Sequence, residues 1–279
     1  MQPYYDQAGI TIFNGDCLEI MPTLDPGSID AIICDPPYGT TACSWDTVIP
    51  FAPMWAQIKR LAKSRAAVVL FGSQPFTSAL VMSNPKWFKY EWVWDKVNLY
   101  TNTLNANRQP LKRHENIIVF ADGQTTYNKQ FRTGAKYSRE RKNQPVAKHL
   151  GASRSQYKQV PTINTGDHNP CSVLEIEGDN KTEKSLHPTQ KPLDLLRYLI
   201  LTYTNPGDTV LDFTMGSGTA LVAAKQLGRK AIGIELIEQY CQSGPSSPLA
   251  AQAQPRPAGG GSAQRAPRHS RGPGESPPW

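Results

Sequence analysis

Short apolar runs separated by polar turns follow two periods along this chain. Continuous β-branched or aromatic runs at residues 9–13, 29–34, 66–71, 90–95, 116–120, 209–211 and 230–235 predict buried strands. Between them, Phe51, Met54, Trp55, Ile58 and Leu61 recur at helical spacing within residues 50–64. The same spacing joins Leu193, Leu196, Leu199, Ile200 and Tyr203, behind a proline at the helix start. Residues 17–24 predict a brief helix and residues 220–227 a longer one closed by Gly228. Trp92 and Trp94 sit two apart and predict packing on one face of a strand. Strands alternating with helices predict an α/β fold, a doubly wound and mostly parallel sheet.

Two stretches lose this patterning. In residues 121–184 basic side chains far outnumber acids, and Tyr127, Phe131, Tyr137 and Tyr157 lie among them. Taken alone, this is either a solvated insertion or a surface for phosphates and base edges. Residues 243–279 are dominated by Pro, Gly, Ser, Ala, Gln and Arg, and predict a disordered tail. The helix that begins at Ile237 breaks into this tail, which reads as an unrelated sequence joined to the domain.

Composition narrows the partners only slightly. Of 279 residues, 39% are hydrophobic, enough for one sizeable domain with an insertion. The net charge of +7 permits a polyanionic partner without naming one. Five scattered cysteines without a C-x-x-C pair argue against a disulfide framework or zinc ribbon, and no metal-ligand spacing is present. A reducing cytoplasm is the expected compartment. The N-terminal residues lack a leader-like pattern, and no run reaches membrane-spanning length.

The candidate chemistry sits where strands end. Asp35-Pro36-Pro37-Tyr38 follows the run Ile29–Cys34. It sets a carboxylate, two residues without amide donors and an aromatic ring at one strand terminus. Such a terminus suits a substrate group that only donates, such as –NH2, with a flat ring stacked on Tyr38. Alone, it also reads as a proline turn after a strand. Downstream, Thr209-Val210-Leu211-Asp212 runs into Phe213-Thr214-Met215-Gly216-Ser217-Gly218-Thr219, a helix, and a strand ending in Glu235. This strand–glycine loop–helix–strand–acid order suits a nucleoside ligand, the final acid taking ribose hydroxyls. Leu221 stands where the full GxGxxG pattern needs its third glycine, which favours an adenosine cofactor without pyrophosphate.

Together these segments resemble the S-adenosylmethionine-dependent DNA amino-methyltransferases. Asp35–Tyr38 resembles their catalytic motif and Asp212–Thr219 their cofactor loop. His187-Pro188-Thr189-Gln190-Lys191-Pro192 resembles the motif that precedes that loop in the permuted (beta) group, and Asn14-Gly15-Asp16-Cys17 the N-terminal strand end. The order of the four matches is that of the permuted group. The resemblance implies a Rossmann-like methyltransferase fold. Its expected layout is a catalytic half at 1–120, a target-recognition insertion at 121–184 and a cofactor half at 185–242. It implies S-adenosyl-L-methionine as cofactor, held by Asp16, Cys17, Asp35, Thr189, Lys191, Asp212, Thr214, Gly216, Ser217, Gly218, Thr219 and Glu235. His187 is either a further cofactor contact or a structural histidine.

The implied reaction is methyl transfer to the 6-amino group of adenine in double-stranded DNA. Asp35, Pro36, Pro37 and Tyr38 form the catalytic motif, and Lys129, Arg132, Lys136, Arg139, Arg141 and Lys142 contact DNA. The implied setting is a bacterial or phage restriction–modification enzyme, monomeric or homodimeric. Asp at position 35 favours adenine, and the cytosine 4-amino group is the alternative. A third alternative is an inactive relative that binds DNA through its basic insertion, favoured by the atypical tail.

Overall fold

The computed structural model describes residues 2–40, 46–139, 162–178 and 190–242. Strands β1 (Tyr5–Gln7), β2 (Ile10–Asn14), β3 (Ile29–Cys34), β4 (Ala62–Gly72), β5 (Phe88–Asp95) and β6 (His114–Phe120) come from the first half. Helices α1 (Cys17–Ile20), α2 (Phe51–Leu61) and α3 (Phe76–Ser83) lie between them. The insertion contributes β7 (Arg132–Thr133), β8 (Tyr137–Arg139), β9 (Thr162–Asn164), β10 (Asp167–His168) and β11 (Val173–Glu175). Then follow α4 (Leu193–Tyr203), β12 (Thr209–Asp212), α5 (Thr219–Gln226), β13 (Lys230–Glu235) and α6 (Glu238–Cys241).

Nine strands form one sheet in the order β1-β2-β13-β12-β3-β4-β6-β5-β11. The run from β2 to β4 is parallel, β6 is antiparallel to both its neighbours, and β1 is antiparallel to β2. The side-chain period of two divides the core. Ala67, Val69 and Phe71 of β4 pack with Leu195, Leu199 and Tyr203 of α4 and with the alanines of α5. Val68 and Leu70 face the other way, onto Met54, Trp55, Ile58 and Leu61 of α2 and Phe76 and Leu80 of α3. This is the doubly wound, mostly parallel α/β architecture predicted. Trp92 and Trp94 are buried on one face as expected.

Three local expectations change. The helix predicted to Ser64 ends at Leu61, because Ala62 already pairs with Ile29 and residues 62–65 extend β4. Tyr5–Gln7, unassigned by patterning, forms an edge hairpin with β2. Val173–Glu175, inside the stretch without periodicity, joins the main sheet parallel to β5. Only Leu174 of those three is buried, too little signal to show a period. Among the described residues no helix is long and apolar enough to cross a membrane. The predicted disordered tail, 243–279, lies outside the described residues.

Candidate active site

Parallel packing decides where the chemistry gathers. β2, β13, β12, β3, β4 and β5 all point their C-terminal ends to one edge of the sheet. Chain connections run from β12 to β13 on one side and from β3 to β4 on the other, so the order reverses between β12 and β3. A crevice opens at such a switch point. There lies a cavity of about 710 Å³. Asp35, Pro36, Pro37 and Tyr38 line it together with Asp16, Cys17, Lys191, Asp212, Thr214, Gly216, Ser217, Thr219 and Glu235. Gly218 stands behind this wall as the N-cap of α5, with φ of +76°. Gly216 also has positive φ, so both predicted glycines occupy backbone that a side chain would strain.

The two strand ends are stitched together. Thr214 Oγ1 donates to the Asp35 carbonyl at 3.0 Å and lies 2.9 Å from the Cys34 sulfur. Cys34 is buried, which pushes its thiol pKa well up and leaves it a packing group. After Tyr38 the backbone amides gather on Asp46. Its Oδ1 accepts from the amides of Tyr38 and Gly39 and its Oδ2 from that of Thr40. Burial of Asp46 is therefore compensated by three donors.

Both oxygens of the Asp35 carboxylate are engaged. Tyr38 donates its hydroxyl to Oδ1, and the Lys191 ammonium pairs with Oδ2. The Tyr38 ring stacks on Phe76, centroids 5.1 Å apart. Lys191 also lies 3.4 Å from Glu115 Oε2, and Lys96 pairs with Glu115 Oε1 at 2.5 Å. Burial opposes the Lys191 charge, but the Asp35 and Glu115 carboxylates outweigh it and raise its pKa. Burial likewise opposes ionised Glu115, and Lys191 and Lys96 outweigh it and hold its pKa down. The result is a row of four charges, Asp35–Lys191–Glu115–Lys96, along the cavity wall.

The other half of the cavity suits a nucleoside carrying an amino acid. Glu235 is buried, and its oxygens accept from the amides of Gly216 and Ile237 at 2.9 and 2.8 Å. Burial raises its pKa. Asp212 is pushed up to about 7, chiefly by burial. Asp16 caps α1 by accepting from Leu18 N at 2.7 Å, and Cys17 follows it with its thiol raised to about 12 by burial. Gln190 Oε1 is a buried acceptor without a hydrogen-bond partner among the described residues, and Gln190 lines the cavity. A ligand ammonium would satisfy it. With apolar walls from Leu18, Phe213, Met215 and Ile237, this lining fits S-adenosyl-L-methionine.

Other predicted site residues lie elsewhere. His187, Thr189, Arg141 and Lys142 fall outside the described residues, and Arg139 belongs to β8 by its backbone. Lys129, Arg132 and Lys136 are exposed on the insertion and do not line the cavity. Among the described residues the cations that line it are Lys96, Lys112 and Lys191. Sequence reasoning passed over Glu115, Lys96 and Lys112. Lys112-Arg113-His114-Glu115 looks like a solvated charge run, and only the reversed direction of β6 brings its first residues to the active edge.

The DNA methylase family model for the N6/N4 class matches residues 29–245. The type II methyltransferase M.HinfI of Haemophilus influenzae is 28% identical over 256 residues, 82% of this chain and 66% of that protein. The chain thus spans just under two thirds of that relative's length. The crystal structure of the M1.HpyAVI–SAM complex matches with TM-score 0.55 and 26% identity, over 85% of this chain and 97% of that one. The cytosine-N4-specific PvuII DNA methyltransferase shares the fold with TM-score 0.63 at 15% identity, over 87% of each chain. The chain belongs to the DNA methylase family, the S-adenosylmethionine-dependent methyltransferases of exocyclic amino groups.

Proposed function

We propose that this protein methylates the 6-amino group of adenine in double-stranded DNA at a specific site. The observation that carries the reading is the convergence of Asp35 and the Gly216 loop on one cavity. Asp at the first motif position supports adenine over cytosine, following the association seen in the permuted group.

An exocyclic amino nitrogen is a poor nucleophile because its lone pair is delocalised into the ring. The Asp35 carboxylate and the Pro36 carbonyl accept its two N–H groups and turn the lone pair out of the ring plane. Asp35 also stabilises the positive charge that develops on nitrogen. Pro36 and Pro37 offer no amide that competes for the carbonyl acceptors. The target base leaves the duplex to reach this depth, and the Tyr38 ring, backed by Phe76, stacks on it. When bound, the cofactor supplies an electrophilic methyl group. Glu235 takes its ribose hydroxyls, Asp16 lies by its adenine, and Gln190 accepts from its ammonium. Lys191 meets its carboxylate, joined by Thr189 on the family resemblance, and His187 is either a further contact there or a structural histidine. Lys191 serves both halves, since it already touches Asp35.

The basic insertion, with Lys129, Arg132, Lys136, Arg139, Arg141 and Lys142, faces the DNA backbone in this reading. Incubation with unmethylated duplex DNA and methyl-labelled cofactor tests the proposal. Label enters DNA with the native chain and not with Asp35→Ala, whose cofactor affinity stays within a few-fold. Label transfer by Asp35→Ala at the native rate would remove Asp35 from this role. Absence of cofactor binding by calorimetry would favour the inactive relative.

A further inference from the structure

The segment joining β5 to β6, residues 96–113, is not part of the basic insertion, yet it rises from the rim of the cavity. Lys96, Leu99, Thr101 and Lys112 line the cavity at its base. Its two limbs are backbone-paired. Lys96 N donates to Arg113 O at 2.9 Å, and Thr101 and Lys112 exchange amide hydrogen bonds at 2.8 and 3.2 Å. The tip is folded by its own hydrogen bonds. Asn102 has positive φ, a 3-10 turn covers Thr103–Asn105, and the amides of Arg108 and Gln109 donate to Asn105 O. At the top of that turn Leu104 is 101% exposed.

Scattered exposed leucines are ordinary on protein surfaces. Leu104 differs in its setting, at the apex of a self-ordered tip beside a pocket proposed to receive an extruded base. The segment contains Lys96, Arg108, Lys112 and Arg113 and no acid, and four asparagines and a glutamine fill much of the rest. Amide side chains hydrogen-bond base edges, cations hold phosphates, and an apolar side chain wedges between base steps. Together these are the chemistry of a duplex groove.

We propose that residues 96–113 form a DNA-entering arm, with Leu104 filling the gap that the extruded base leaves and Arg108 meeting the adjoining phosphates. The arm deepens the methyl-transfer reading and rests on it for the extruded base. Lys96 links the arm to the site, because its partner Glu115 also holds Lys191 against Asp35. DNA seated on the arm thereby bears on the charge row that ends at the catalytic carboxylate.

Two measurements on unmethylated duplex DNA amplified from bacterial genomic template test this. Leu104→Ser, a change at a fully exposed position, lowers methyl transfer into duplex about tenfold or more, while transfer into the same DNA heat-denatured stays within about twofold. A photo-cross-linking p-benzoylphenylalanine at position 104 joins to the duplex. The same group at Met82, 72% exposed on α3, does not. Native transfer with no preferential cross-link at 104 and an unaffected Leu104→Ser overturns the arm and leaves the methyl-transfer reading standing. A cross-link at 104 from a native chain that transfers no methyl group keeps the arm and removes that reading.

Discussion

Lys191 and Asp35, 156 positions apart in sequence, form an ion pair inside the cavity, and the same ammonium lies 3.4 Å from Glu115. Their side chains are 10%, 24% and 16% exposed, so water screens the group only weakly. Lys191→Met leaves two carboxylates facing each other and should destabilise the fold by about 3–5 kcal/mol. Glu115→Gln should rescue part of that loss. Urea unfolding of both single variants and the double variant measures the coupling, expected to exceed about 1 kcal/mol. Additive effects would show that the three groups do not act as a unit.

Tyr38 carries two separable contributions, a hydroxyl on Asp35 and a ring on Phe76. Tyr38→Phe keeps the ring and should lower kcat/KM about tenfold or more, about 1.5–3 kcal/mol for a hydrogen bond to a charged carboxylate. Tyr38→Ala also loses base stacking, worth about 1–3 kcal/mol, and should cost a further tenfold or more. Equal losses in the two variants would assign the whole effect to the hydroxyl.

Glu235 binds two backbone amides, one with each oxygen. Glu235→Gln turns one acceptor into a donor facing an N–H group, an unsatisfied pair costing about 1–3 kcal/mol. Calorimetric affinity for S-adenosyl-L-methionine should fall about tenfold or more, since the loop at Gly216 loses its anchor. Unchanged affinity would remove Glu235 from the cofactor half.

Asp212 gives a pH signature. Burial raises its folded pKa to about 7 from an ordinary 3.8. Between those values the folded carboxyl keeps a proton that the unfolded chain has lost. Stability from this group therefore falls as pH rises through that interval and is level above it. Asp212→Asn, which still accepts from Thr214 N, should remove that slope. The stability difference between native and variant, from denaturant unfolding at pH 5 and pH 8, should move in favour of the variant at the higher pH. A pH-independent difference would contradict it.

Much of the fold was legible because its central strands are mostly buried. Ile29–Cys34 and Lys230–Glu235 are apolar runs in the sequence and strands with those bounds in the structure, since burial on both faces leaves little for tertiary context to override. The acids at their ends were legible for the same reason: Asp35 and Glu235 mark where each run stops. Residues whose importance depends on pairing order were not. Glu115 stands second in a strand that runs backwards beside β4, and Lys96 follows one that runs forwards. Neither direction is written in local pattern. Leu104 was illegible because a single leucine in a polar loop has no period.

The most direct measurement digests DNA treated with the native chain and S-adenosyl-L-methionine to nucleosides and weighs them. The expected product is N6-methyldeoxyadenosine, absent when Asp35→Ala replaces the native protein. N4-methyldeoxycytidine in its place, or methylated adenine from the Asp35→Ala variant, would contradict it.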